Sequence, residues 1–391
     1  LLVSSMTIFT CQVIKGKKIN EIFGNKKVIM IFAALFAVVG ISALRGYYAG
    51  HNPGLILADT IPYFFFLYYF PLKQLLISEK FLQTTFTMLT ATIIGNFIFI
   101  YLTLAGFSSE VLVLQDSYYH WFRDVAAGKI TDYGTGFFRI LTNEQLLIVP
   151  LLILFINGVI RQPTPTPPKR GITIDVIITG ALLAVLSINL TRIYLVALAV
   201  GILFLFSVKN WKRWLAYSIG ALIFFVMAFS LTHLAATKGK SLGWEYLGLR
   251  LQSIAMPQIE DSSLSRMMLL PKILEKIKSH PLLGNGLGDT VTVYSPIFMA
   301  NITTPHFDWG YLEIIDELGL IGLIVWILFI IYCLLITKKT KNRGILTSVV
   351  ALLVINITSP ALFHVLGIIF LVYLLSNYGE VELTAFHQVD G

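Results

Sequence analysis

Four side chains able to hold anions or move protons fall in one polar stretch between Ser265 and Leu323: Arg266, His280, His306 and Asp308. His306 takes a proton near neutral pH, and Asp308 stands close enough in sequence to orient it, which is what a general base needs. Glu313 follows, with Asp316 and Glu317 behind it at helical spacing. The same carboxylates would also suit a helix start, where negative charge is favoured, with His306 simply solvated. Arg266 opens a stretch with apolar residues at Met267, Leu270, Ile273, Leu274 and Ile277, which predicts a helix over 264–279 with one apolar face. A serine can cap that helix, which would put Arg266 in its first turn. A cation there opposes the helix dipole, unless guanidinium and helix end share an anion such as a phosphate. An exposed arginine without a partner is the other reading. Arg192, after Ser187-Ile-Asn-Leu-Thr191, either snorkels at the end of an apolar span or faces a cavity.

The elements that must position these residues are membrane helices. Of 391 residues, 56% are hydrophobic and only 13% charged, against roughly 45–50% and about 25% in soluble domains. Apolar runs near the length that crosses about 30 Å of hydrocarbon recur along the chain. They predict an all-α polytopic membrane protein of about 11 spans, at 1–14, 28–44, 61–77, 82–106, 141–160, 172–190, 192–208, 214–236, 311–336, 345–358 and 361–377. The first residues, Leu1-Leu2-Val3, are already apolar and lack a Met, so further spans are expected ahead of them. Cys11 and Cys333 lie far apart in apolar runs and suggest neither a disulfide nor a metal site.

Charge sets the orientation. The connections at 15–27, 73–80, 161–170, 209–213 and 338–343 carry 17 Lys and Arg, against 5 on the opposite short connections. The rich side is expected in the cytoplasm and the long loop 237–310 outside, since long loops cross regardless of charge. The net charge of +8 is thus an orientation signal, and nucleic acid is not an expected partner. The organisation is then an N-terminal membrane region (1–160), a proline-rich cytoplasmic linker (161–170), central helices (171–236), the outer loop (237–310) and C-terminal helices with a short tail (311–391). Aromatics at 118–122 suit the headgroup level. Within the loop, Gly284-Asn-Gly286-Leu-Gly288 follows no strand and is no dinucleotide fingerprint. Its glycines are expected to take positive φ or admit close backbone approach, and His280-Pro281 to end the preceding helix.

Thr191-Arg192, Ser265-Arg266, His280-Pro-Leu-Leu-Gly-Asn-Gly-Leu-Gly288, Pro305-His306-Phe-Asp308 and Glu317-Leu-Gly319-Leu-Ile-Gly322 stand in the order of a known family. The chain resembles the O-antigen ligase and O-antigen polymerase superfamily of bacterial envelope glycosyltransferases, specifically from about 185 to 335. The resemblance implies a GT-C-like helical bundle in the cytoplasmic membrane, its long loop facing the periplasm. It implies a polyprenyl-diphosphate-linked glycan donor, and a lipid A core or a second lipid-linked glycan as acceptor. The family's membrane arginine, loop arginine and loop histidine fall on Arg192, Arg266 and His306, and Arg45 is compatible with a substrate-binding role. Phe307 stands where ligases usually have Asn, and the spacing to Gly319 is longer.

The residues point the same way. Cleaving a sugar–diphosphate bond needs charge stabilisation on the leaving group, which preorganised arginines supply without metal. No metal or other cofactor is expected. A transporter or flippase of lipid-linked or small solutes is the competing class, but its polar residues would centre at mid-membrane.

Overall fold

The computed structural model describes residues 26–75, 79–112, 120–123, 128–161, 172–256, 261–295, 299–305, 307–339 and 342–378. Helix α1 (Lys26–Tyr48) is followed by α2 (Pro53–Phe64), a 3-10 turn (Phe65–Tyr68), α3 (Tyr69–Leu75) and α4 (Glu79–Ser108). A hairpin of β1 (Lys129–Asp132) and β2 (Phe138–Leu141) precedes α5 (Ile148–Arg161), α6 (Ile172–Asn189), α7 (Arg192–Phe204) and α8 (Trp211–Ala236). Then come α9 (Trp244–Ala255), α10 (Asp261–Ser279), a second hairpin of β3 (Val291–Ser295) and β4 (Ala300–Thr304), α11 (Gly310–Lys339), α12 (Arg343–Ile355) and α13 (Val365–Tyr378).

Among the described residues, six stretches are long and apolar enough to cross a bilayer: Lys26–Tyr48, Pro53–Gln74, Gln83–Ser108, Asn143–Ile160, Val208–Ala236 and Gly310–Lys339. Shorter apolar helices at Ile174–Asn189, Arg192–Phe204, Arg343–Ile355 and Val365–Asn377 coincide with four more expected spans. The expected span at 1–14 and the linker residues 162–170 lie outside the described residues. Leu203, Leu222, Ile223, Ile324 and Leu328 are exposed along these helices, as befits surface that meets lipid rather than water. The chain is mostly helical, but not purely so. Both hairpins and α9 were absent from the sequence-based expectation. Val291-Thr-Val293-Tyr-Ser295 alternates β-branched and aromatic residues over a run too short to signal strongly.

The chain divides into two compact units. One comprises Leu82–Met256 and Arg343–Val354. In it α6 packs between α5 and α8, and α7 lies against α5 and α9. Some of the polar groups inside find partners within the unit, as membrane burial favours. Ser348 Oγ donates to Pro150 O at 2.7 Å, and Asn189 donates through its amide to Gln145. Hairpin β1–β2 pairs Thr131 with Arg139, and Ile130 with Ile140.

The second unit comprises residues 1–81, Pro257–Asn342 and residues 355–391. Here α1 packs on α11, and α13 on α11 and α3. Phe32, Phe66, Trp326 and Phe329 fill the space between them, with Phe32 and Phe66 rings 5.2 Å apart. Helix α11 is broken at Gly319, whose φ of 70° and ψ of −175° are open to glycine and not to a side chain. An unsatisfied backbone group in hydrocarbon costs several kcal/mol, so a break survives only where something else pairs it.

The loop after α10 does so. Leu320 and Ile321 donate their N–H groups to Pro281 O (2.9 Å) and Leu282 O (3.2 Å). In return Asn285 and Gly286 donate to Asp316 O (2.6 Å) and Glu317 O (3.2 Å). The loop also locks onto α1, with Leu287 N–H bonding Ser42 O at 3.2 Å. A Cβ on Gly286, at φ +102°, would overlap the backbone of Gly46. Both anticipated uses of these glycines, positive φ and close approach, are therefore present.

Candidate functional site

Helix α10 starts at Asp261, so Arg266 is its sixth residue and not in its first turn. The dipole argument for a shared anion at the helix end therefore falls away. Its place is taken by a direct contact. Arg266 Nε lies 3.2 Å from Asp308 Oδ2, joining residues 42 apart in sequence. The side chains are 27% and 52% exposed, so the pair faces solvent. Exposed pairs of this kind contribute about 0–1 kcal/mol. Such a pair positions its groups without committing them.

A small core holds this pair in place. Leu269 and Ile273 of α10 bury against Val291 of β3 and Phe307, with Ile277, Val293, Trp309 and Leu312 around them. The buried stripe is Leu269–Ile273–Ile277, at i, i+4 and i+8, whereas Met267 and Leu274 are exposed. The helix therefore presents a narrower apolar face than its composition suggests, turned toward the hairpin and the start of α11. Trp309 Nε1 donates to Arg266 O at 3.2 Å, tying the arginine's backbone to the segment that carries Asp308. Asp308 has φ of +57°, a conformation that Asp tolerates better than most residues. Glu313, in the first turn of α11, is buried and accepts from Phe307 N–H at 3.3 Å. It thus anchors the residue next to Asp308. His306 lies outside the described residues.

Arg45, in the last turn of α1, donates from Nε and Nη2 to Gly284 O at 3.1 and 2.8 Å. It fastens the glycine loop. Asp59 of α2 does the same from the other end, accepting from Gly288 N–H at 2.9 Å. Asn285 is held on three sides: its amide donates to Asp316 Oδ1 (2.8 Å) and Lys276 O (3.1 Å), and its oxygen faces His280 Nδ1 at 2.8 Å. Lys276 in turn grips the buried Asp289 through both carboxylate oxygens, at 2.5 and 2.6 Å. Sequence reasoning missed Lys276, Asp289 and His51. The signal was the Asp directly after Gly288, which local spacing could not match to a lysine on the preceding helix.

Arg192 belongs to the other unit, as the first residue of α7 with Thr191 as N-cap. Its Nη1 donates to Ser253 O in the last turn of α9 at 3.1 Å. The turn before it is built from polar bonds: Arg139 donates to Asn189 O (2.6 Å) and Thr191 Oγ1 (2.8 Å), while Asn189 Oδ1 accepts from Thr191 N–H at 3.0 Å. Arg250 of α9 is 5% exposed and donates to Tyr246 Oη at 2.9 Å and to Tyr133 Oη, lying over both rings. Burial pushes the Tyr246 phenol well above its ordinary value, so it stays a neutral acceptor for the guanidinium. Among the described residues no group of three His, Cys, Asp or Glu side chains is arranged to hold a metal ion.

Residues 177–327 match the model of a protein family described as O-antigen ligase. Over that stretch the chain is similar to the O-antigen ligase family. The match runs from within α6 to within α11 and takes in Arg192, Arg266, the glycine loop, Asp308 and Glu313. Arg45 and Asp59, which brace that loop, lie before it. No match to the chain was found among curated proteins. The six long apolar helices among the described residues agree with a multi-pass membrane protein.

Proposed function

We propose that this chain is a membrane glycosyltransferase that moves glycan from a polyprenyl-diphosphate donor, on the outer face of the cytoplasmic membrane, to a lipid A core or a second lipid-linked glycan. The observation that carries the reading is the Arg266–Asp308 pair inside the family-matched region. A diphosphate brings more negative charge than one carboxylate and suits the guanidinium fork. It displaces Asp308 from an exposed pair that is worth little. Arg266 then stabilises the leaving group, in place of a metal ion, and Arg192 is the second arginine that the family resemblance implies for donor binding.

The acceptor hydroxyl attacks the anomeric carbon, and the carbon–oxygen bond to the diphosphate breaks with its electron pair leaving on the phosphate oxygen. The hydroxyl proton passes to His306 as general base, with Asp308, freed by the donor, as the alternative acceptor. Glu313 serves through the backbone beside Asp308. The helices form a GT-C-like bundle, with loop 237–310 outside and 161–170 and 338–343 in the cytoplasm.

Vesicles holding the purified protein and labelled lipid-linked glycan provide the test. A new glycosidic bond supports the enzyme, whereas movement of the glycan across the bilayer without one contradicts it. Orientation is checked separately: Ser241→Cys should react with an impermeant thiol reagent in intact cells, and Thr340→Cys only after lysis. The inverse pattern would overturn the outward loop.

A further inference from the structure

A second polar site lies in the unit that carries Arg266. Between the end of α1 and the loop after α10 opens a cleft of about 390 Å³, lined by Arg45, Tyr48, His51, Lys276, His280, Asn285 and Asp289. Its volume falls within the range of small-molecule sites. One wall is the His280–Gly288 stretch that carries part of the family resemblance, but the diphosphate chemistry assigned to Arg266 does not account for the cleft.

The hydrogen-bond inventory decides what it fits. The lining contains two cations and two histidines against one carboxylate, which at first sight suggests an anion. Lys276, however, has three ammonium hydrogens and three acceptors: Asp289 Oδ1, Asp289 Oδ2 and Thr290 O at 2.7 Å. It has no donor left. Arg45 spends Nε and one Nη2 hydrogen on Gly284 O and keeps its remaining hydrogens for the cleft.

The histidines are set from behind. Asn285 donates from its nitrogen to two fixed oxygens, so its Oδ1 is the acceptor and His280 Nδ1 carries the hydrogen between them. His51 Nδ1 likewise faces a carbonyl, Leu287 O, at 2.9 Å. With Nδ1 engaged by Asn285, the Nε2 edge of His280 is left for a ligand. The Nε2 of His51 stands 3.6 Å from Asp289 Oδ1. Tyr48, 83% exposed, adds a ring face and a hydroxyl that both donates and accepts.

Donors from Arg45, the open ring edge of His280, and the hydroxyl and ring face of Tyr48 match a ligand whose groups both give and take hydrogen bonds. We infer that this cleft is a binding subsite for a neutral, polyhydroxylated sugar residue of a glycan. The inference rests on the glycan-transfer reading for the identity of that glycan. The glycine loop that Arg45 braces forms one wall, so the subsite is as rigid as the helix break to which the loop is bonded.

The probe is the oligosaccharide released by mild acid from the host's own lipid-linked pool, titrated against the full chain in detergent and followed by saturation-transfer NMR. Wild type should bind it, and His280→Ala and Tyr48→Ala should each bind at least tenfold more weakly while keeping the wild-type melting temperature. In transfer assays the same variants should lose more in KM than in kcat. Equal binding by wild type and both variants overturns the subsite, as does no binding by wild type. Displacement by millimolar inorganic phosphate overturns it too, since that marks an anion site. Failure of the glycosyltransferase reading looks different: the oligosaccharide binds and the variants weaken it, but wild type forms no glycosidic bond.

Discussion

Arg250 and Arg266 both lie outside the helices long and apolar enough to cross a membrane, both have oxygen partners, and they are built for opposite ends. Arg250 is 5% exposed, wrapped by two tyrosine rings and bonded to both of their hydroxyls. The Arg266 side chain is 27% exposed and touches one carboxylate that is itself half in water. The first arrangement leaves a guanidinium nothing further to do except hold α9. The second leaves it able to exchange partners. Burial, rather than residue type, separates the structural Arg250 from the more accessible Arg266.

The sharpest way to break this contrast is to damage the frame on which the available site rests. Gly286→Val places a branched side chain at φ +102° and against the Gly46 backbone. The conformational strain alone is about 1–3 kcal/mol, with the overlap in addition, so little folded protein should survive size-exclusion in detergent. Normal yield would mean that the loop can leave the helix break. Arg250→Ala comes next. It strips two half-buried hydroxyls of a donor, at up to about 1–3 kcal/mol, and should lower the thermal midpoint. An unchanged midpoint would show that the tyrosine clasp is not structural.

Asp308→Asn should have the smallest effect on stability, within about 1 kcal/mol because the pair is exposed. Its value lies in the pH–rate profile. With His306 as base, Asp308→Asn keeps the wild-type limb near neutral pH and His306→Ala loses it. If His306→Ala keeps wild-type turnover and Asp308→Asn is inactive, the base is the carboxylate.

How much of this was legible beforehand follows from where the information lies. Apolar runs are local, and they marked the helices at 28–44, 82–106, 214–236 and 311–336 to within a few residues of those observed. The three glycines after Pro281 were legible as backbone specialists, because only glycine explains such spacing. What they approach was not, since Gly46 and Glu317 are remote in sequence. The Arg266–Asp308 and Lys276–Asp289 contacts were hidden for the same reason. They depend on how hairpin β3–β4 folds back on α10, and that hairpin itself is too short for its alternation to stand out. Arg266 was singled out on a premise that the structure does not bear out: it sits in the second turn of its helix, and its partner is Asp308 rather than the helix end.

The central claim is that Arg266 serves the donor diphosphate and not the fold. It is tested most directly by the initial rate of glycan transfer by Arg266→Lys beside wild type, at equal amounts of folded protein in vesicles. A lysine keeps the charge but not the fork. The account predicts a wild-type melting temperature and a rate at least tenfold lower, which corresponds to about 1.4 kcal/mol of transition-state stabilisation. A wild-type rate in Arg266→Lys would contradict it.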